Sequence, residues 1–308
     1  MLPPQIAVLE RGWLSSNSVL LLGDPDQGPV LIDTGYCAHA QQTLALVDNA
    51  IRHEAKPLSR IVNTHLHSDH CGGNAALSAV YRCPIHIPPG QFAAASIWDQ
   101  SALSYQATGQ QCPRFKPDGV IAPGDQIDHA GLSWQVHAAP GHDPHSIILF
   151  EPSTATLISA DALWEHGFGI VFPEIEGRDA FESVQASLDL IESLNPHCVV
   201  PGHGRPFGSV ASALSEARSR LAMFRAQPER HARHAAKALI MFHLLELRSQ
   251  PQAKLVEWLA KTPIHQMMWH RYFSDQALDT WSHSLLAELI RGTSIELDAM
   301  LVCSVNLA

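Results

Sequence analysis

The stretch Asn63-Thr64-His65-Leu66-His67-Ser68-Asp69-His70-Cys71-Gly72-Gly73-Asn74 gathers three imidazoles and a carboxylate between positions 65 and 70. Arg60-Ile61-Val62 before it reads as the end of a buried strand, and Gly72 to Leu77 as entry into a helix. In extended chain His65 and His67 fall on the same side, because side chains repeat every two residues, so both can reach one cation. The turn into the helix throws Asp69 and His70 to another side, where they can serve a second cation close by. Neutral imidazole and carboxylate are ligands that zinc, iron and manganese accept. The chain has 19 histidines, so isolated ones are expected. Four ligand side chains at H-x-H-x-D-H spacing on a strand-to-helix turn are not.

H-x-H-x-D-H followed by Gly72-Gly73 resembles the signature of the metallo-β-lactamase superfamily. The resemblance implies an α/β fold, an αββα sandwich with a one- or two-metal site at one edge, between its two sheets. It also implies the remaining ligands. Ser133 to Ala139 alternates into Pro140-Gly141-His142, and His142 would complete a first site with His65 and His67. Cys198-Val199-Val200-Pro201-Gly202-His203-Gly204 supplies His203 for a second site with Asp69 and His70. Asp161 ends the apolar run Ala155 to Ala160, where a carboxylate is unfavourable unless paired or metal-bound. The resemblance implies that it bridges both metals and argues against penicillin hydrolysis. Relatives usually carry Gly at the position of Ala160. Asp33, closing the strand Val30-Leu31-Ile32, would be an outer group that orients a metal-bound imidazole. His145 is expected to support or pack, and His86, His137 and His197 to be structural or on the surface. Cys71 reads as a small buried thiol.

The elements that must position these residues follow in order. Residues 17–35 read as a β-hairpin and 39–56 as a helix, with further strands at 81–87, from Ile121, at 147–150 and at 155–160. Residues 89–118 break the rhythm as an insertion expected to wall the site. Phe181 to Leu194 reads as an amphipathic helix. After Arg205 strand signals stop, and helical periods run over 209–226, 229–248, 252–261, 264–272 and 276–291, with Pro228, Pro251 and Pro263 at the breaks. The expected division is therefore a catalytic domain over 1–208 and a helical C-terminal extension over 209–308.

Apolar content of 46% and charged content of 16% fit a protein with a sizeable core. The N-terminus lacks the basic flank and apolar run of a signal peptide, and no apolar run approaches the ~18 residues of a membrane span. Six cysteines without C-x-x-C pairs read as reduced thiols in a cytoplasmic protein. A formal charge of −10 argues against nucleic acid as partner and leaves a small-molecule substrate, with a homodimer left open. One basic stretch runs against that charge: Arg218, Arg220, Arg225, Arg230, Arg233 and Lys237, with Glu229 the only acid among them. It is either a solvated helix face or a patch that holds an anionic part of a substrate. The first three of these arginines are the candidates for the substrate contact.

The resulting expectation is a binuclear hydrolase holding two divalent metals, zinc first, with iron or manganese as alternatives. Two cations sharing one water lower its pKa toward ~7, and the bridging hydroxide attacks a carbonyl while the metals stabilise the oxyanion and leaving group. Asp69 would orient the nucleophile or carry a proton, beside the bridging Asp161. Trp164, Phe168 and Phe172 suggest an apolar mouth, hence a small ester, thioester or lactone with an apolar acyl group. The persulfide dioxygenases and glyoxalase II carry bases near this segment, and the absence of any before Arg178 argues against glutathione thioesters. Three alternatives stand beside this: a nuclease of the lactamase-β-2 type, a mononuclear iron oxygenase of the persulfide-dioxygenase kind, and a binding or signalling protein with vestigial hydrolysis.

Overall fold

A computed structural model describes residues 2–292, 295–298 and 301–304. Its first sheet has six strands in sequence order: β1 (Ile6–Leu9), β2 (Ser18–Leu21), β3 (Val30–Ile32), β4 (Arg60–Val62), β5 (Ile85–Ile87) and β6 (Gly119–Val120). The first three pair antiparallel through hairpins, and β3 to β6 run parallel. Parallel neighbours need a crossover, which α1 (Ala40–Ile51), α2 (Ser68–Cys71) and α3 (Asn74–Tyr81) supply. The insertion contributes α4 (Phe92–Ile97) and α5 (Tyr105–Thr108). The second sheet holds β7 (Gln126–His129), β8 (Leu132–Ala138), β9 (Ile147–Glu151), β10 (Thr156–Ala160) and β11 (Cys198–Pro201) in the order β11-β10-β9-β8-β7. Only β10 and β11 pair parallel in it, joined through α6 (Phe172–Ile175) and α7 (Phe181–Leu194).

Alternation along the strands builds three apolar layers. Val19, Leu21, Val30, Ile32 and Val62 of the first sheet meet Trp134, Val136, Ile147, Leu149, Ile158 and Val200 of the second. Leu20, Leu31, Ile61 and Ile85 point the other way, onto Val47 and Ile51 of α1 and Leu77 of α3. Ile148, Phe150, Leu157 and Val199 pack on Val184, Leu188 and Ile191 of α7. These strands are buried on both faces, which is why their sequences read as apolar runs. The result is the αββα sandwich the sequence implied.

The extension begins with α8 (Val210–Ala226), whose Ala213, Leu214, Ala217, Leu221 and Phe224 share the core of α7. The helices α9 (Pro228–Leu247), α10 (Gln252–Lys261), α11 (Pro263–Tyr272) and α12 (Leu278–Arg291) close a separate core around Trp281, Leu285, Leu259 and Met268. Tyr36 ties α9 to the sandwich by donating from Oη to Glu246 Oε2 at 2.9 Å. No described helix is long and apolar enough to cross a membrane.

Two expectations need correction. Strand structure does not stop at Arg205: β12 (Ser249–Pro251), β13 (Ile295–Asp298) and β14 (Leu301–Ser304) form a three-stranded antiparallel sheet in the order β12-β14-β13. Each is three or four residues long, too short for its alternation to stand out. The strand read from Tyr81 begins only at Ile85, because Tyr81 ends α3 and Arg82 turns the chain with φ at +54°.

Candidate metal centre

Each candidate ligand sits where a strand ends at one edge of the sandwich. His65 and His67 follow β4, and Asp69 and His70 lie in α2. His142 follows β8, Asp161 follows β10, and His203 follows β11. The turn after β4 is fixed by buried amides. Asn63 Nδ2 donates to His70 O at 3.2 Å, and Asn74 Nδ2 donates to Asn63 Oδ1 at 2.6 Å. Gly202 precedes His203 because a Cβ there would overlap Asp161 Oδ1. Ala160 holds a φ of +45°, the left-handed backbone that glycine adopts without strain.

The side chains form two groups. His65, His67 and His142 present nitrogens that lie within 4.8 Å of one another, and so do the ligand atoms of Asp69, His70, Asp161 and His203. His67 Nδ1 stands 3.1 Å from His65 Nε2 and 2.7 Å from His142 Nε2. Asp161 Oδ2 lies between the groups, 3.3 Å from His142 Nε2 and 3.4 Å from His70 Nε2. His203 Nε2 is 3.0 Å from Asp69 Oδ2.

The far nitrogens decide where the lone pairs point. His70 Nδ1 donates to Asp33 Oδ2 at 2.7 Å, and His142 Nδ1 donates to the Ile170 carbonyl at 2.6 Å. Thr64 Oγ1 donates to Asp33 Oδ2, which leaves it to accept from His65 Nδ1 at 3.1 Å. Nε2 of all three rings is thereby turned inward. One proton on His67 Nδ1 serves only one of its two nitrogen neighbours. His70 Nε2 is buried without a hydrogen-bond partner while facing carboxylate oxygens.

Electrostatics point the same way. Burial drives His65 well below its ordinary value, and His70, His67 and His142 push it further. Burial and then His142 hold His67 at about 3. His70 goes well above its ordinary value: burial opposes its charge, but Asp161, Asp33 and Asp69 outweigh that penalty. Asp161 stays well below the carboxylate range, since His70, His203 and His142 override the effect of its burial. Asp69 is likewise lowered, by His70 and His203 against burial. Neutral His65 and His67, beside carboxylates that draw positive charge onto His70 where a cation could take its place, belong to a donor set that fits divalent cations. Asp33 sits beneath them with φ at +58°, accepting from Thr64 N–H at 2.8 Å as well as from His70.

Both groups open on one cavity of about 310 Å³. Trp164 lines it and donates from Nε1 to Asp161 Oδ1 at 3.1 Å. Phe172 meets the His67 ring edge-on at 4.8 Å between centroids. Arg220 reaches the cavity from α8, beside Gly167, whose Cβ position its guanidinium fills. The other expected substrate contacts lie elsewhere. Arg218 is held 2.7 Å from both Asp189 and Glu192, and Arg225 is 3.0 Å from Glu182, because α7 lays an acidic edge along α8. Phe168 is buried against Phe224 rather than at the mouth. His145 belongs to neither ligand group; it borders another cavity, its ring packed on Gly90.

Several cavity residues escaped the sequence reading. Trp13 stacks on His203 with centroids 5.3 Å apart and ring planes 7° from parallel, in a loop with no motif to mark it. His234, Ala238 and Phe242 line the cavity from α9. Their i, i+4, i+8 spacing marks one helix face, a signal that was present but reads as ordinary core.

Comparison with known proteins agrees with this geometry. Residues 11–203 match the family described as the metallo-beta-lactamase superfamily. A hydroxyacylglutathione hydrolase of Bdellovibrio bacteriovorus is 27% identical over 181 residues, 59% of this chain. The chain spans 60% of that relative's own length. Among solved structures, TTHA1623 in a di-iron-bound form is 28% identical with a TM-score of 0.53, over 68% of this chain and 98% of that one. The metallo-beta-lactamase family protein TTHA1429 from Thermus thermophilus shares the fold over 99% of this chain and 100% of its own, at 17% identity and a TM-score of 0.58. With the fold, the ordered motif blocks and the matched span in agreement, the chain belongs to the metallo-beta-lactamase superfamily.

Proposed function

We propose that this protein is a metal-dependent hydrolase of small esters, thioesters or lactones with an apolar acyl group. The observation that carries the reading is that both ligand groups open on a single cavity whose other walls are largely apolar: Trp13, Trp164, Ile170, Phe172, Leu239 and Phe242. In this reading His65, His67 and His142 would hold one divalent ion and Asp69, His70 and His203 a second, with the Asp161 carboxylate placed between the two groups. Zinc is the first candidate; iron, found in TTHA1623, and manganese are the alternatives. Bound cations would supply Lewis acidity and acidify water near neutral pH.

The chain's own residues do the rest. Apolar walls exclude bulk water and seat the acyl chain against the ligand groups. Asp69 Oδ2, at the cavity wall and 3.0 Å from His203 Nε2, is placed to take up or orient a proton. Arg220, with His234 beside it on the cavity wall, offers a cationic end for a carboxylate or phosphate on the substrate. This also bears on glutathione: no Lys or Arg lies in 163–177, yet a guanidinium enters the cavity from α8. Thioesters of an anionic thiol therefore belong in the substrate panel, as the hydroxyacylglutathione hydrolase relative suggests. The same reading takes 1–208 as the catalytic part, 209–308 as an extension that walls the cleft, and the six free cysteines as those of a cytoplasmic protein.

The test is a panel of esters, thioesters and lactones of graded acyl length, run anaerobically with zinc restored. Each added methylene should raise kcat/KM by roughly 4-fold until the cavity is full. Turnover only with iron, oxygen uptake and a persulfide substrate would replace this reading with an oxygenase.

A further inference from the structure

Gln110 follows α5 in the insertion, and its backbone is held from both sides. Its own N–H donates to the Tyr105 carbonyl at 3.1 Å. The next residue, Gln111, donates its N–H to Tyr36 Oη at 3.1 Å, and its carbonyl accepts from Cys37 Sγ at 3.4 Å. The side chain is held as well. Ser68, buried at the start of α2 between His67 and Asp69, donates from Oγ to Gln110 Oε1 at 2.6 Å. That length suits O–H···O and is short for N–H···O, so the amide turns its carbonyl oxygen to Ser68. Its other arm carries two N–H donors. Among the described residues none accepts from Gln110 Nε2, and that atom is not sealed in the core. Both donors are open to a molecule in the cavity, whose wall Gln110 shares with His67 and Asp69. On its other side Gln110 borders Leu239 and Phe242, two of the apolar walls.

We propose that Gln110 determines specificity: its amide donates to an oxygen acceptor carried on the acyl chain of the substrate, a few bonds from the scissile carbonyl. The position follows from its neighbours. With ligand side chains on one side and Leu239 and Phe242 on the other, Gln110 meets the part of the acyl chain nearest the reacting end. The chemistry follows from the walls. A plain hydrocarbon chain that covers the amide strips it of water and returns nothing, whereas a keto or ether oxygen restores a hydrogen bond. The Trp164 indole does not take this part, because Asp161 Oδ1 already accepts from its Nε1. That an acyl chain occupies this cavity rests on the function proposed above; the open donor does not.

Two variants separate donation to the substrate from tethering of the loop. Gln110→Met loses both. Gln110→Glu, read at pH 8, still accepts from Ser68 but turns a carboxylate oxygen, not N–H, to the cavity. The ratio of kcat/KM for methyl 4-oxooctanoate to that for methyl octanoate should fall about 2–10-fold from wild type in both variants, as for one lost neutral hydrogen bond. A ratio kept in Gln110→Glu leaves only the tether and overturns the proposal. Binding gives a readout that needs no turnover. The wild type should bind 4-oxooctanoate about 2–10-fold more tightly than octanoate. The keto acid should also shift the Gln110 side-chain amide cross-peak in ¹⁵N–¹H spectra, a peak assigned by its loss in Gln110→Met. No preference for the keto acid overturns the proposal whatever the hydrolysis assay shows. A preference that disappears in both variants, in a protein that hydrolyses neither ester, upholds the donor and overturns the hydrolase reading instead.

Discussion

The sandwich and the C-terminal extension both bury histidines, and the two sets behave alike until their nitrogens are traced. In the extension, burial holds His231 at about 3 and His265 at about 4, much as it holds His67 at about 3 in the sandwich. Yet His231 Nε2 accepts from the Val171 N–H at 3.1 Å, and His265 Nε2 is 3.4 Å from the Ala236 carbonyl. His243 stacks on Trp258 at 3.9 Å and bonds Gln250. Each takes its partner from a backbone group or a neighbouring side chain. In the sandwich the nitrogens face one another and the carboxylates. Burial and a lowered pKa do not distinguish a ligand from a packing residue; convergence of lone pairs does.

The largest expected effect breaks the converging set. Asp161→Ala should lower hydrolysis by about three orders of magnitude or more and reduce metal content, with the circular dichroism of the fold unchanged. Full metal occupancy in that variant would remove Asp161 from its place between the groups.

The extension should respond to acid instead. His231 and His265 are neutral when folded, with pKa values below the unfolded ~6.5. The unfolded chain therefore binds protons first as pH falls. Stability is fully present above about pH 6.5 and is lost between there and about pH 3–4, by up to about 3–5 kcal/mol per residue. Denaturant midpoints followed by tryptophan fluorescence between pH 7 and 4 measure this, and Phe substitutions at both positions should flatten the profile. A profile unchanged by those substitutions would contradict the assignment.

A smaller effect concerns the wall the two regions share. Arg220→Ala should raise KM for an anionic substrate by about one to two decades and alter a neutral ester less, as for a lost charge-assisted hydrogen bond. Arg218→Ala and Arg225→Ala should be silent, since α7 carboxylates already hold both. The smallest effect is at Ala160: Gly relaxes its left-handed backbone, and Ala160→Gly should stabilise the chain by about 0.5–1 kcal/mol in urea titration.

What the sequence revealed follows the same contrast. His65, His67, Asp69, His70, His142, Asp161 and His203 were legible because each sits in a short block at a strand end, and the strands are apolar runs. The direction of the arginines was not, because α8 carries charge around its circumference: Arg218 turns to acids of α7 26 and 29 positions away, while Arg220 stands 3.7 Å from Glu216 on its own helix and still reaches the cavity. Trp13 lies in a loop without periodicity, and only its stacking on His203 reveals it.

Convergence of nitrogens and carboxylates, not burial of histidine, marks the metal centre. Metal per chain, measured on protein purified without added metal and again after zinc is restored and excess removed, tests this most directly. Two ions are expected in the wild type, loss in His142→Ala, and two in His265→Ala. A wild type that retains no metal, or loss of metal in His265→Ala with its fold intact, would contradict it.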